Sequence, residues 1–186
     1  MFGGGVARFI SAAIGGLTID SAPLTKPVLH GHGWRSMLVQ PAPHAIRTLG
    51  HASASRRTPY GLASVAWKLR EEVGGEGTLE LNLTVPVGSS AVVRLPVLLD
   101  VEATDVQGAS FDVATMSPDS PDGECAMTCP LAEQLGSVAP VSMSDSRVAT
   151  CGWKYADALC EWRLDGELVL RFVALSGSHR LRISKP

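Results

Sequence analysis

Charge is scarce in this chain, and nowhere does it cluster. Asp, Glu, Lys and Arg make up 18% of the 186 residues, and the net charge is −2. The 16 basic residues are scattered, with no run longer than Arg56-Arg57. Nucleic acid is bound through a basic patch that gathers phosphate contacts, so that class of partner is excluded. No segment repeats at a fixed period, which sets aside solenoids and propellers. The closely spaced cysteine pairs of structural zinc sites are missing. So is a strained Gly-x-Ser-x-Gly elbow of the kind that presents a nucleophilic serine. What remains is a globular composition, 45% apolar, in a length that suits one domain and buries roughly 70% of its unfolded surface.

The apolar residues are arranged for strands. Leu79, Leu81, Leu83 and Val85 alternate with Thr78, Glu80, Asn82 and Thr84. Successive side chains of a strand point to opposite faces, so this period of two describes a half-buried antiparallel strand. Val65, Trp67 and Leu69 repeat the pattern against Ser64, Ala66 and Lys68, and Ala91, Val93 and Leu95 resume it up to Pro96. Turn residues punctuate these runs. Thr58-Pro59-Tyr60-Gly61 combines a fixed proline dihedral with a glycine that tolerates a positive one. Gly74-Gly75-Glu76-Gly77 separates Leu69 from Leu79, and Pro86-Val87-Gly88-Ser89 precedes Ala91. Asp165-Gly166 is a strong hairpin dipeptide ahead of Leu168, Leu170 and Phe172, and Ser176-Gly177-Ser178 reads as another hairpin turn before Leu181 and Ile183. The pattern predicts a mainly β fold, an antiparallel sandwich over residues 30–186.

The N-terminus follows a different period. Val6, Phe9, Ile10, Ala13, Ile14 and Leu17 fall at helical spacing, ended by Gly15-Gly16 and Pro23. This predicts one short amphipathic α-helix over 3–16. A secretory signal would have a positive leading region, whereas the one cation, Arg8, sits where the apolar stretch should be. A spanning helix would need about 20 apolar residues, and this segment is shorter. A helix packing on a larger partner fits best.

Taken in order, Gly33-Trp34-Arg35, Val39-Gln40-Pro41, Thr58-Pro59-Tyr60-Gly61, Val65-Ala66-Trp67-Lys68 and Thr84-Val85-Pro86 resemble the C-terminal β-sandwich domain of the α-L-rhamnosidases, a glycoside hydrolase family. Met1-Phe2-Gly3-Gly4-Gly5-Val6 with Gly15-Gly16-Leu17 resembles the last helix of that family's catalytic (α/α) barrel. The resemblance covers residues 1–99 and resumes at Asp165–Ile183. It implies that residues 1–29 are a terminal helix and linker, a remnant of the barrel, and that 30–186 form the sandwich with a cysteine-containing insertion at about 101–160. The family cleaves terminal α-L-rhamnose with inversion, using a carboxylic acid and a carboxylate base on opposite sides of the sugar. Those groups lie on barrel loops, and no position here matches them.

Other constellations are weak. Asp100-Val101-Glu102 sets two carboxylates on one side of a strand, roughly 7 Å apart, but the segment reads better as a strand end running into a polar loop. His30-Gly31-His32, with His44 or His51, could offer metal ligands, yet a fourth ligand is missing and the setting reads as a solvated loop. Cys125, Cys129, Cys151 and Cys160 all fall in 101–160, a stretch rich in Ser, Pro, Asp and Gly that reads as a long loop. Such a loop wants a tether, and at least one disulfide would supply it, at about 2–4 kcal/mol. Reduced thiols are the alternative, and the compartment stays open. Of four tryptophans, Trp67 is expected in the core and Trp34 over the helix or a sheet edge, while Trp153 and Trp162 are better placed to stack on a sugar. Asn82-Leu83-Thr84 is a glycosylation sequon, usable only in a secreted protein.

No residue is therefore assigned as catalytic, substrate-binding or metal-binding, and no cofactor is called for. The expected role is that of a non-catalytic accessory domain packing on and stabilising a rhamnosidase catalytic barrel, inactive alone. The rivals are a stand-alone carbohydrate-binding module and a truncated structural fragment. The expected partners are the barrel, with carbohydrate as a second possibility, and neither nucleic acid nor membrane.

Overall fold

The computed structural model describes residues 10–19, 33–71, 77–97, 111–116, 124–129, 138–140, 142–143, 155–162 and 168–184. Among the described residues, thirteen strands run in chain order: β1 (Leu17–Ile19), β2 (Ser36–Val39), β3 (His51–Thr58), β4 (Gly61–Glu71), β5 (Gly77–Val85), β6 (Ser90–Val97), β7 (Phe111–Met116), β8 (Glu124–Cys129), β9 (Val138–Pro140), β10 (Ser142–Met143), β11 (Tyr155–Trp162), β12 (Leu168–Ala174) and β13 (Gly177–Ser184). They form two sheets, β1-β2-β6-β12-β11-β9 and β10-β8-β7-β13-β5-β4-β3. The pairs are antiparallel, apart from β2 with β6, which is parallel. The fold is a mainly β sandwich, as the alternation predicts.

The core lies between the sheets and is built from the residues the period of two selects. Leu79, Leu81, Leu83 and Val85 of β5 face Leu170 and Phe172 of β12 and Val93 and Leu95 of β6 in one buried cluster. Each large apolar side chain withdrawn from water there contributes roughly 1.5–3 kcal/mol. The outward residues of β5 behave as expected at Asn82, which is exposed, but Thr78 is buried.

Two turns differ from the hairpins expected. Pro86–Ser89 carries the chain from β5 in the seven-stranded sheet to β6 in the six-stranded one, and Leu175-Ser176 carries it from β12 back to β13. Because β5 pairs with β13 and β6 with β12, the two crossings lie side by side. The turn chemistry is as read: Gly88 (φ 70°) and Gly177 (φ 136°) take dihedrals closed to most side chains. His179 Nε2 donates to the Leu175 carbonyl at 2.7 Å, clamping the second crossing. By contrast, Pro59-Tyr60 does make a tight hairpin, β3 to β4, with Thr58 paired to Gly61. There the Tyr60 amide donates to Thr58 Oγ1 (3.1 Å), whose hydroxyl in turn donates to the Gly61 carbonyl (2.8 Å).

The stretch 101–160, expected as a long loop, holds strands β7 to β10 and most of β11. β7 and β8 pair from Phe111↔Cys129 to Met116↔Glu124, so residues 117–123 link a strand pair. Sequence reading missed this because Ser, Pro, Asp and Gly dominate the link and mask the short runs flanking it. An α-helix, α1 (Pro43–Leu49), was also not anticipated. Its signals are present, with Pro43 in the first turn and Gly50 beyond the end at φ 69°, but its core face is only Ala45 and Ile46.

The N-terminal helix expected over 3–16 appears in the described residues as one wide turn, Ile10–Ile14, closed by Gly15 N–H donating to Ile10 O at 3.2 Å. Residues 3–9 lie outside the described set. The turn is seated on both sheets. Trp67 Nε1–H donates to Ile14 O (3.2 Å), and the Gln40 amide donates to Gly16 O (2.7 Å). Gly16 sits at φ 79°, and a Cβ there would press to 2.7 Å from Gln40 C and Pro41 Cα.

Two substitutions test this seating. Gly16→Ala is expected to destabilise by about 1–3 kcal/mol through a forbidden dihedral and backbone collision. Trp67→Phe keeps an aromatic ring but strands the Ile14 carbonyl, at about 1–3 kcal/mol. Urea denaturation followed by fluorescence for the first and by circular dichroism for the second measures both; a change under about 0.5 kcal/mol in either would remove the anchor from the account.

Candidate functional site

The outward face of the seven-stranded sheet carries a trough whose walls follow from register. Ser55 pairs with Ser64, Ser64 with Thr84, and Thr84 with Ser178. Two residues along, Ser53, Ala66, Asn82 and Arg180 form the next row on the same face. The row beyond that is long-sided: His51, Lys68, Glu80 and Arg182. On the other side lie Arg57 and Leu62, both exposed. Short side chains between two ridges of long ones leave a groove of about 390 Å³ across β3, β4, β5 and β13.

Chemically, the groove offers hydroxyls from Ser53, Ser55, Ser64, Thr84 and Ser178, the Asn82 amide and the exposed Arg180 guanidinium. These groups hydrogen-bond a polyol well. A flat aromatic face is absent from the described lining, whose one ring is the buried, carbonyl-bonded His179. Glu80, at the margin, is paired with Arg70 at 3.1 Å on a largely exposed side chain. Screening leaves such a surface pair little stabilising weight.

The residues singled out by sequence fall as follows. Trp67 is in the core, 2% exposed. Trp34 packs against the core from the turn Gly33–Arg35, and its ring is covered by the Arg56 guanidinium, 5.3 Å from the centroid. That contact occupies the face a sugar would use. Arg35 likewise lies 5.0 Å from the Tyr60 ring centroid, tying the same turn to the β3–β4 hairpin. Trp153 and the Trp162 side chain lie outside the described residues, as do Asp100, Glu102, His30 and His32. The disulfide state of Cys125, Cys129, Cys151 and Cys160 lies outside them too. His44, on α1, and His51, opening β3, are both exposed. Among the described residues no group of three or more His, Cys, Asp or Glu is gathered as a metal site would require. Among them, too, no helix is long and apolar enough to cross a membrane. Asn82 of the sequon is exposed in the middle of the groove. The groove itself was missed by sequence reading; its signal is the run of serines and alanine at alternate positions of β3 and β4, visible only once those strands are set in register.

Comparison with known families gives a match over residues 22–110 to the bacterial alpha-L-rhamnosidase C-terminal domain. The matched stretch takes in the Gly33–Arg35 turn, β2, α1 and β3 to β6. Among solved structures, an alpha-L-rhamnosidase from Dictyoglumus thermophilum is similar at 16% identity and a TM-score of 0.48. That similarity covers 98% of this chain and 14% of the other, so the chain spans about one seventh of the enzyme it matches. No curated protein matches.

The two faces of β5 make a paired test of the groove's orientation. Asn82→Ala, on the groove side, is expected to shift stability by no more than about 0.5 kcal/mol. Leu83→Ala, one residue on and pointing inward, is expected to cost about 2–5 kcal/mol. Equal losses in chemical denaturation would mean that β5 is buried on both faces.

Proposed function

We propose that the chain acts as a non-catalytic accessory domain that packs on, and stabilises, the catalytic region of an alpha-L-rhamnosidase-like glycoside hydrolase. The observation that carries this reading is the N-terminal turn. It leads into the sandwich through Trp67 and Gln40, yet Ile10 stays 48% exposed. A helical segment fastened to one body with an apolar residue turned outward suits a junction with a second body. The family match over residues 22–110 supports the same reading, and the division into residues 1–29 and 30–186 that the resemblance implies is part of the proposal. The two carboxyl groups of inverting hydrolysis would come from the catalytic region.

A second reading, carbohydrate binding by the domain alone, has one specific support, the hydroxyl-lined groove on the seven-stranded sheet.

Co-expression tests the first reading. The chain is produced with the catalytic region of a bacterial alpha-L-rhamnosidase deprived of its own C-terminal domain. A one-to-one complex with raised thermal stability of the catalytic region is expected, and Ile10→Asp is expected to weaken it about tenfold or more, since it sets a charge in an apolar contact. Failure to co-purify, with saturable rhamnose binding by the chain alone that Asn82→Ala abolishes, would favour the groove instead.

A further inference from the structure

On the six-stranded sheet, β6 and β12 are buried on both faces. Val93, Leu95, Leu170 and Phe172 face the core, while Val92 (3% exposed), Val169 (7%) and Val173 (4%) are buried on the opposite side. On that opposite side, between the valines, Arg94 of β6 stands directly across from Arg171 of β12. Both side chains are half-buried, and both Nε atoms are fully buried without a hydrogen-bond partner among the described residues.

Such an arrangement is costly without a counter-charge. Like charges directly opposed on neighbouring strands repel. A buried N–H with no acceptor forfeits its hydration without recompense. Both penalties reverse when an oxyanion sits between the two guanidiniums. Each guanidinium presents five N–H donors in a planar fork suited to two oxygens at once. The described neighbours, Val92, Val169, Val173 and Leu159 paired to Arg171 on the next strand, are apolar, and they lower the local dielectric and strengthen a charge-assisted pair. The site is separate from the groove, which lies on the other sheet.

We propose that Arg94 and Arg171 form an oxyanion-binding site on the outer side of the six-stranded sheet, taking a phosphate or a carboxylate between their guanidiniums. Nothing in it depends on docking to a catalytic region. The site gives a small anion a means to stabilise the β6–β12 pair.

The test uses the whole chain in solution. The Nε–Hε resonances of Arg94 and Arg171 are followed by NMR as sodium phosphate, and separately sodium acetate, replaces sodium chloride at fixed pH and ionic strength. The expected result is a saturable shift of both resonances with one common dissociation constant in at least one series, while exposed Arg180 shows none. Phosphate alone saturating points to a phosphoryl ligand, and acetate alone to a carboxylate. Arg94→Gln and Arg171→Gln are each expected to weaken that binding about tenfold or more. A linear drift shared with Arg180 overturns the proposal, as does saturable binding that both variants retain. If a variant fails to fold, the wild-type titration decides alone.

Discussion

Two crossings made side by side determine the layout of this molecule. The chain leaves the seven-stranded sheet through Pro86–Ser89 and returns to it through Leu175-Ser176, linking the β5–β13 pair to the β6–β12 pair at one end. Given those links, the inward residues of four strands must meet across the sandwich. They supply several of its largest buried side chains, among them Phe172, Leu81 and Leu95. The constraint on these crossings is backbone geometry. Gly88 and Gly177 adopt positive dihedrals, and His179 reaches back to a carbonyl that the crossing leaves unpaired by strand structure. Once the central four strands are set, the outer strands add by ordinary pairing.

The surfaces follow from the same layout. Strands β3 and β4 extend the seven-stranded sheet past β5, and their small outward residues open a polar groove there. Their inward side, Ala54 and Trp67, receives the N-terminal turn, where Gly15 lies against Ala54. One strand pair thus presents a wet face to solvent and a dry face to the segment leading in. That asymmetry is the basis of the proposed junction at the N-terminal turn, with a separate polar surface behind it.

Much of this architecture is legible in the sequence where a single local rule decides. Leu79 to Val85 alternate, so one face of β5 is dry, and Trp67 shares a face with Val65, so it is core. Turn residues at 86–89 and 176–177 are equally visible, but turn chemistry reports a reversal and says nothing about which sheet receives the returning strand. That choice depends on pairing across more than eighty residues, as in Gly177↔Val85. The same holds for the groove and for the Arg94–Arg171 pair: each depends on register between strands distant in sequence. Helix α1 was hidden for a different reason. At seven residues it has too few apolar positions for a helical period to show, and its stop at Gly50, whose carbonyl accepts from Leu69 N–H at 2.6 Å, is tertiary.

The match of residues 22–110 to the bacterial alpha-L-rhamnosidase C-terminal domain takes in strands β2 to β6 of the sandwich, and the proposed role leaves hydrolysis to a separate catalytic region. On that proposal, resemblance to the family does not carry its activity to this chain. Turnover of p-nitrophenyl α-L-rhamnoside by the purified 186-residue chain tests that separation most directly. No release of p-nitrophenol above the buffer rate is predicted. Release that scales with chain concentration and survives repurification would contradict it.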